Sequence, residues 1–327
     1  MSDFIVVAGP DIAGILGGDK AKVRDIVAST YRLHDAGDTI NPDSYFLRFP
    51  HKPDSRVIAL PAYIGADVNR MGIKWISSFP GNLSRGIPRA SAVLILNDFE
   101  TGRPLACLES AHISAARTAA SAAVAAERLC TKAGITVGVV GTGVIASTIL
   151  DHLHSSTVDI AHVIAHDLDQ ERAEGFAERV RAETGLDVGP AGLDAVLKAD
   201  LVVFATTAGE PYVDVDHRFT PDQVVLNISL RDLPPEVILA STNIVDDIDH
   251  CLKADTSPHL AEQATGNREF VHGTLGGLLN GTFEVPSGRP VIFSPFGLGV
   301  LDIAVGSYVM DRALEAGKAT VIDGFTE

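Results

Sequence analysis

Short apolar runs, each bounded by Gly, Pro, Asn or Asp, dominate the first third of the chain. Such runs between turn residues are typical of strands. The pattern predicts a helix at residues 20–36 and strands at Phe4–Val7, 56–61, 72–76, 92–96 and 104–108. Residues 97–103, between the last two runs, have the composition of a hairpin turn. The first part of the chain is thus expected to be a sheet-rich domain of mostly antiparallel strands.

The pattern changes near Ser114. Eight of the 16 residues at 115–130 are alanine, which has the highest helix propensity, so a buried connecting helix is predicted there. From Gly134 onward, strand and helix signals alternate, as in a parallel sheet covered by helices. The predicted strands are 136–140, 162–165, 201–205, 224–228 and 244–245, and the predicted helices include 145–154 and 169–183.

A last helix is predicted at residues 300–316. The parallel sheet is expected to be complete before this helix begins, so the helix is expected to pack back on the first domain. The chain has 327 residues, which is enough for about two domains with cores of their own. The predicted fold is α/β: a sheet-rich α+β domain of residues 1–115 and 300–327, and an α/β domain of residues 116–299.

One glycine-rich segment lies where a predicted strand ends and a helix begins. The spacing in Gly141-Thr142-Gly143-Val144-Ile145-Ala146 matches the G-x-G-x-x-G/A pattern of dinucleotide-binding loops. Gly141 would make the tight turn, Gly143 would let the backbone approach a pyrophosphate, and Ala146 would allow close helix–strand packing. Free N–H groups at the helix N-terminus would bind the phosphates. The segment predicts a Rossmann domain; an α/β domain without a nucleotide is the alternative.

A carboxylate lies at the end of the next predicted strand. Asp167 follows Gly141 by 26 residues, close to the spacing at which an acidic side chain binds the adenosine ribose hydroxyls. It would repel a 2′-phosphate and therefore favours NAD over NADP. Asp169 is the alternative acceptor for the ribose hydroxyls. Thr206 and Thr207 follow the predicted strand 201–205 and are expected at the cofactor-facing edge of the sheet. A role in capping the loop is the alternative for both threonines.

Charge and cysteine content exclude several classes of protein. The chain has 26 Lys and Arg against 42 Asp and Glu, a net charge of −16, whereas sequence-independent nucleic-acid binding needs clustered basic residues. Its three cysteines are too few and too scattered for a disulfide framework. No apolar run has the length of a membrane helix, and the N-terminal segment lacks the basic start of a signal peptide. We therefore expect a cytoplasmic protein without nucleic-acid or membrane partners.

Two clusters resemble metal sites by composition alone. His152 and His154 are two residues apart on a predicted helix, so their side chains diverge. Residues 246–251 include three aspartates, a histidine and a cysteine, but they follow a predicted strand. A strand end and a helix cap are expected there, and no metal site is predicted.

Six segments spread over nearly the whole chain resemble the ornithine cyclodeaminase/μ-crystallin family. They are residues 56–61, 72–75, 95–98, 114–120, 227–232 and 296–302. The resemblance implies a Rossmann domain that binds NAD, with Asn227 among its cofactor-binding residues, and a sheet-rich domain through which members form homodimers. Within the family, the chain resembles the NAD-dependent dehydrogenases that cleave N-(2-amino-2-carboxyethyl)-L-glutamate oxidatively to L-2,3-diaminopropionate and 2-oxoglutarate.

The resemblance also implies that four cations bind an anionic amino-acid substrate: Arg48, Lys74, Arg89 and Arg117. Taken alone, Lys74 would be interpreted as a residue at a strand edge with its ammonium in water. Arg117 lies in the alanine-rich helix, where an unpaired buried cation is costly. It therefore needs an anion, either a substrate α-carboxylate or, alternatively, Glu109 or Asp98. Four cations suit a substrate with three carboxylates and would repel the side-chain amine of ornithine.

Asp232 corresponds to the carboxylate that acts near the nicotinamide in this family. Its expected role is to bind the substrate nitrogen or to activate the water that hydrolyses an imine, and Lys74 is the other catalytic candidate. Helix capping before Leu233 is the alternative for Asp232. Ornithine cyclodeaminases have an acidic residue at the position of Ile58, so this chain lacks one carboxylate of their reaction.

Three other functions stay open. An ornithine cyclodeaminase would return the hydride and release no net NADH. An alanine dehydrogenase or a ketimine reductase would act on a smaller substrate. A ligand-binding protein of the μ-crystallin kind would need no turnover, and the presence of Lys74, Arg117 and Asp232 together argues against it.

Overall fold

The chain folds into two compact units in a computed structural model that describes residues 3–325. The first unit comprises the described parts of Met1–Arg117 and Leu298–Glu327, and the second comprises Thr118–Gly297. The predicted boundaries, after residues 115 and 299, each lie two residues from these.

The first unit contains one eight-stranded sheet with the order β16-β1-β7-β6-β5-β4-β2, in which β3 also pairs with β4. Its strands are antiparallel except for the parallel pair β1–β7. The strands are β1 (Phe4–Val7), β2 (Thr39–Ile40), β3 (Tyr45–Phe49), β4 (Lys52–Ile64), β5 (Arg70–Ser78), β6 (Ala90–Asp98), β7 (Pro104–Glu109) and β16 (Thr320–Ile322). All five predicted strands are present, whereas β2, β3 and β16 were not predicted.

Three helices of this unit are α1 (Gly9–Gly18), α2 (Lys20–Asp35) and α11 (Gly299–Glu315), and a 3₁₀ helix spans Pro80–Arg85. Helix α11, predicted at 300–316, packs against β4, β5 and β6. Its small residues allow the close approach: a Cβ at Gly306 would collide with the Leu94 side chain, and one at Gly299 would lie 3.2 Å from Leu60 Cβ. Leu60, Lys74 and Leu94 are directly opposite one another on neighbouring strands, so α11 covers the face that carries Lys74.

The second unit contains a parallel eight-stranded sheet with the order β10-β9-β8-β11-β12-β15-β13-β14. Its strands are β8 (Ile135–Val140), β9 (Ile160–His166), β10 (Val188–Pro190), β11 (Leu201–Phe204), β12 (Val224–Asn227), β13 (Thr242–Val245), β14 (Val271–Thr274) and β15 (Val291–Ser294). The five predicted strands are present, but the sheet has three more, β10, β14 and β15. Val140, Phe204 and Asn227 are in register, so the carboxyl ends of β8, β11 and β12 lie side by side.

The remaining helices are α3 (Ala111–Leu129), α4 (Val144–His154), α5 (Gln170–Thr184), α6 (Leu193–Val196), α7 (Pro235–Leu239), α8 (Ile248–Cys251), α9 (Ser257–Thr265) and α10 (Leu275–Asn280). Helix α3 is the predicted alanine-rich connection, and the boundary between the two units falls within it. Among residues 3–325, no helix has the length and apolar character needed to cross a membrane.

Candidate active site

Two buried cations of the first unit share one carboxylate. Lys74, on β5, is 1% exposed, and its Nζ donates to Asp302 Oδ2 at 2.6 Å and to Ser114 Oγ at 3.2 Å. Arg117, on α3, is 8% exposed, and its Nε lies 3.3 Å from Asp302 Oδ1. Asp302, on α11, is fully buried. Three elements therefore bring an ammonium and a guanidinium together on opposite oxygens of one carboxylate.

The surroundings of Lys74 lower its pKa to about 8. Burial is the largest cause, because it disfavours the charged amine, and the positive charge of Arg117 adds to it. The charge and hydrogen bond of Asp302 act in the opposite direction. Lys74 is thus mostly protonated at pH 7. Its pKa lies close enough to 7 for the side chain to act as an acid or a base.

Asp302 was not among the predicted site residues, and it takes the place of the two alternative ionic partners predicted for Arg117. The alternative partners considered for Arg117 were Glu109 and Asp98. In the structure Glu109 accepts hydrogen bonds from the backbone of α3, and Asp98 accepts them from Thr101. A signal for Asp302 exists in the sequence: it is the one charged residue in the first twelve positions of α11.

The two other predicted cations, Arg48 and Arg89, belong to the same unit. Arg48 is exposed on β3, with its guanidinium 5.1 Å from the centre of the Phe46 ring. It is paired in register with Arg56, and Arg56 is paired with Ser78, so these side chains extend from the face that carries Lys74. Arg89 is half-buried and donates to Ser78 Oγ at 2.8 Å, and burial lowers the pKa of its guanidinium.

The glycine-rich loop of the second unit has the geometry of a phosphate-binding turn. Gly141 follows β8 with φ +86°, and a Cβ there would lie 2.7 Å from the Ala205 carbonyl oxygen, so the position requires glycine. Gly143 is the N-cap of α4, and nothing lies within 4 Å of the Cβ position there. Val144 is 75% exposed at the helix N-terminus, beside the half-buried Ile145. The N-terminus of α4 is therefore open, and the first N–H groups of a helix, which lack intrahelical partners, are the donors that suit a pyrophosphate.

Asp167 lies against this loop. Its Oδ2 accepts from Thr142 N at 2.9 Å and from Thr142 Oγ1 at 2.7 Å, and its Oδ1 accepts from Asp169 N at 3.2 Å. Burial raises the pKa of Asp167, but these hydrogen bonds outweigh it and hold the pKa below its usual value. Asp169 instead caps α5 by accepting from Glu171 N and Arg172 N. Of the two predicted acceptors, Asp167 is the one held at the phosphate loop.

Asp232 is fully buried beyond the end of β12, and its two oxygens have different surroundings. Oδ1 accepts from Thr206 Oγ1 at 2.5 Å and from Tyr212 OH at 2.8 Å. Oδ2 is buried without a hydrogen-bond partner among the described residues. The capping alternative for Asp232 is wrong, because the N-cap of α7 is Pro234, which makes no side-chain bond. A buried carboxylate oxygen without a partner is costly unless a ligand supplies a donor.

The three other residues predicted to bind the cofactor beside Asp232 differ in their surroundings. Asn227 ends β12, donates to Ser294 Oγ at 3.1 Å, and its Oδ1 is buried without a partner in the described part of the chain. Thr206 also accepts from Ala208 N at 3.1 Å, so it combines the Asp232 contact with a turn of its own. Thr207 is exposed. Tyr212, a further partner of Asp232, follows Pro211 in a loop, and no sequence signal identified it.

The acidic cluster at residues 246–251 caps a helix and accepts hydrogen bonds from backbone N–H groups. Asp247 caps α8, and Asp246 accepts from the backbone N–H groups of Phe296 and Gly297. His152 is buried while His154 is exposed, so the two diverge as expected. Among the residues that the structure describes, no group of three or more His, Cys, Asp or Glu could hold a metal ion.

A protein-family model matches most of the chain. Residues 20–317 match the model described as "Ornithine cyclodeaminase/mu-crystallin family". This chain belongs to that family. The predicted resemblance is therefore confirmed.

Three relatives show which members of the family this chain is similar to. It is 29% identical over 94% of its length to N-((2S)-2-amino-2-carboxyethyl)-L-glutamate dehydrogenase of Staphylococcus aureus, of which it covers 95%. The Thermococcus litoralis Δ1-pyrroline-2-carboxylate reductase, solved with NADH and L-proline, superposes with a TM-score of 0.90 at 22% identity, over 97% of this chain and 100% of that one. An archaeal alanine dehydrogenase dimer with bound NAD gives 0.88 at 24% identity, over 99% and 100%.

These similarities confirm the predicted fold class, a parallel α/β domain with a second, sheet-rich domain. Dehydrogenases and reductases recur among the named relatives, in agreement with the predicted class of enzyme, and cyclodeaminases occur as well.

Proposed function

We propose that this protein is an NAD-dependent dehydrogenase that cleaves N-(2-amino-2-carboxyethyl)-L-glutamate oxidatively to L-2,3-diaminopropionate and 2-oxoglutarate. The observation that carries the proposal is the set of four predicted cations in the first unit, Arg48, Lys74, Arg89 and Arg117. Three carboxylates on the substrate would be matched by these four cations. The similarity to the S. aureus dehydrogenase supports the same substrate.

The charge balance around Lys74 supports a carboxylate ligand. Lys74 and Arg117 carry two positive charges and Asp302 one negative charge, so the group has one net positive charge available for one carboxylate. Arg48 and Arg89 make no ion pair within the described residues, and both can bind further carboxylates. Ornithine has one carboxylate and a cationic side chain, which this arrangement would repel. Ile58, in place of an acidic residue, offers that amine no partner.

The second unit supplies the groups that NAD needs. Its pyrophosphate would lie along Gly141, Thr142, Gly143, Val144 and Ile145, its ribose would bind Asp167, and Thr206, Thr207 and Asn227 would lie along the bound cofactor. The open N-terminus of α4 fits such a ligand, as does Asn227 Oδ1, which has no hydrogen-bond partner among residues 3–325. NAD supplies the hydride acceptor, and the substrate loses a hydride from carbon and a proton from nitrogen to give an imine. Asp232 or Lys74 would then activate the water that cleaves the imine into a keto acid and an amine.

Formation of NADH over a panel of substrates tests the proposal. We expect the NADH absorbance to rise in proportion to added N-(2-amino-2-carboxyethyl)-L-glutamate and not with ornithine. Proline formation from ornithine without net NADH would identify a cyclodeaminase instead. NADH oxidation with pyruvate plus ammonia, or with a cyclic imine, would identify an alanine dehydrogenase or a ketimine reductase. The dehydrogenase proposal fails if the conjugate yields no NADH while one of these reactions proceeds.

Arg89→Ala is expected to raise KM for the conjugate and to leave kcat within a few-fold. Loss of one hydrogen bond to a charged group costs about 1.5–3 kcal/mol, equivalent to a KM increase of roughly 10- to 150-fold. Initial-rate kinetics over a range of conjugate concentrations measure the change. Arg85→Ala, at the exposed end of the nearby 3₁₀ helix, is the matched control. An unchanged KM in Arg89→Ala would remove Arg89 from the substrate site.

We also propose that the protein is a homodimer that pairs through the uncovered face of the first unit's sheet. Tyr45, Leu47, Trp75 and Val93 point to the face opposite Lys74, and they are 69%, 47%, 41% and 40% exposed. An apolar sheet face of this kind fits a second copy, because the same surface can pair with itself about a two-fold axis. The solved archaeal alanine dehydrogenase is a dimer.

Trp75→Lys is expected to convert the dimer to a monomer, because it places a charge in the centre of the apolar face. Light scattering after size-exclusion chromatography measures the molar mass. Leu314→Lys is the control, since Leu314 is similarly exposed (41%) but lies on α11. If the wild-type protein is a monomer, or if Trp75→Lys remains a dimer, this face is not the interface.

A further inference from the structure

Asp302 contacts both Lys74 and Arg117, two buried cations of the first unit. Its Oδ2 lies 2.6 Å from Lys74 Nζ, and its Oδ1 lies 3.3 Å from Arg117 Nε. The three side chains come from β5, α3 and α11, and Lys74 and Asp302 are separated by 228 positions in the chain. Because a carboxylate is costly to bury without partners, these two contacts stabilise Asp302 in this position.

The charges around Lys74 come from few residues. The strands on either side of it place Leu60 and Leu94 opposite it, and both are apolar. Helix α3 contributes Ser114 and Arg117, and α11 contributes Asp302. Burial and Arg117 favour the neutral amine of Lys74, and Asp302 alone among these neighbours favours the ammonium.

We propose that Asp302 is a positioning residue, which holds Lys74 protonated and beside Arg117 so that the pair binds one substrate carboxylate. Asp302 does not contact the substrate in this account; it acts through the two cations. With it, the group carries one net positive charge in a fixed arrangement. Without it, Lys74 would lose its proton near neutral pH, and the ammonium would no longer contribute to carboxylate binding. The substrate role rests on the proposed function above, whereas the effect on Lys74 does not.

The titration of Lys74 tests the inference without any enzyme assay. Lysine labelled with ¹³C at Cε reports the protonation of the amine by NMR, and the Lys74 signal is assigned by its loss in Lys74→Met. We expect a midpoint near pH 8 in the wild-type protein. In Asp302→Asn we expect the midpoint to fall by about 1–3 pH units, the usual effect of losing one opposite charge at this distance. Ser307→Ala, which removes another buried polar group from α11, should leave the midpoint unchanged.

The pH dependence of catalysis gives a second, independent measurement. If carboxylate binding needs protonated Lys74, kcat/KM for the conjugate falls as pH rises through the pKa of Lys74. This limb should move to lower pH in Asp302→Asn by the same amount as the NMR midpoint. At pH 7 the loss in kcat/KM would be roughly 2- to 100-fold and would recover on acidification. A purely structural defect would lower the rate equally at every pH.

A wild-type measurement keeps the inference testable if Asp302→Asn does not fold. The ¹³Cγ resonance of Asp302 should show an inflection at the same pH as Lys74 Cε, because deprotonation of an amine 2.6 Å away changes the carboxylate. The inflection should disappear in Lys74→Met. An Asp302 signal that is insensitive to pH near 8, or a Lys74 midpoint that Asp302→Asn does not lower, would overturn the proposal.

The two proposals can fail separately. If no NADH forms with the conjugate but the NMR midpoint shifts as expected, the substrate is wrong and the role of Asp302 on Lys74 stands. If NADH forms and the midpoint does not shift, the function stands and Asp302 is a structural residue alone.

Discussion

Asp232→Asn is expected to lower kcat by about 10²- to 10⁴-fold, the usual contribution of a general acid or base. Asparagine has nearly the same size and can still accept from Thr206 and Tyr212 through its one carbonyl oxygen. Its amide nitrogen would then occupy the position of Oδ2, the oxygen without a partner in the described residues. An amide cannot take up a proton, so the activation of water or of the substrate nitrogen is lost. Steady-state kinetics with the conjugate measure the change.

NAD binding should survive this substitution, which separates a catalytic role from a defect in folding. The phosphate loop and Asp167 do not depend on Asp232, so the NAD dissociation constant from calorimetry should stay within a few-fold of wild type. Asp200→Asn is the matched control, because Asp200 accepts from Thr136 N at the opposite edge of the same sheet. Asp232→Asn with wild-type turnover would show that Asp232 is not the catalytic carboxylate.

Local sequence patterns predicted most of the fold. Among the missed strands, β15 has a pairing that depends on residues distant in the chain. The strands β8, β9 and β11 have apolar runs with helices between them, and their pattern is visible in any short window. β15 (Val291–Ser294) is four residues long and inserts between β12 and β13, although it follows both in the chain. Its place in the sheet is decided by partners about 50 and 65 residues away, which no local pattern encodes.

The same distinction applies to the site. The turn at Gly141 was predictable because the φ of +86° and the space it needs are properties of a few adjacent residues. The need of Arg117 for an anion also followed from its alanine-rich helix. The identity of that anion did not, since Asp302 lies 185 positions away. Tyr212 is a similar case, because its hydroxyl reaches Asp232 only through the path of a loop.

Lys74→Met is expected to lower kcat/KM for the conjugate by roughly 30- to several thousand-fold. This corresponds to a loss of about 2–5 kcal/mol of transition-state stabilisation. Methionine fills a similar volume without branching, so the substitution removes the ammonium and little else. Asp302 would keep Arg117 as its ionic partner, at 3.3 Å, and the protein should fold with reduced stability. Initial rates and a denaturant titration measure the two effects.

The division of this loss between KM and kcat decides what Lys74 does. A rise in KM with kcat unchanged would mean that the ammonium binds the carboxylate equally in the ground state and the transition state. A fall in kcat would mean that Lys74 also transfers a proton, which a pKa of about 8 allows. Lys132→Met is the control, since the ion pairs of Lys132 with Asp200 and Asp222 are exposed and contribute little. Unchanged kcat and KM in Lys74→Met would exclude both roles, because a buried ammonium paired with Asp302 would then serve the fold alone.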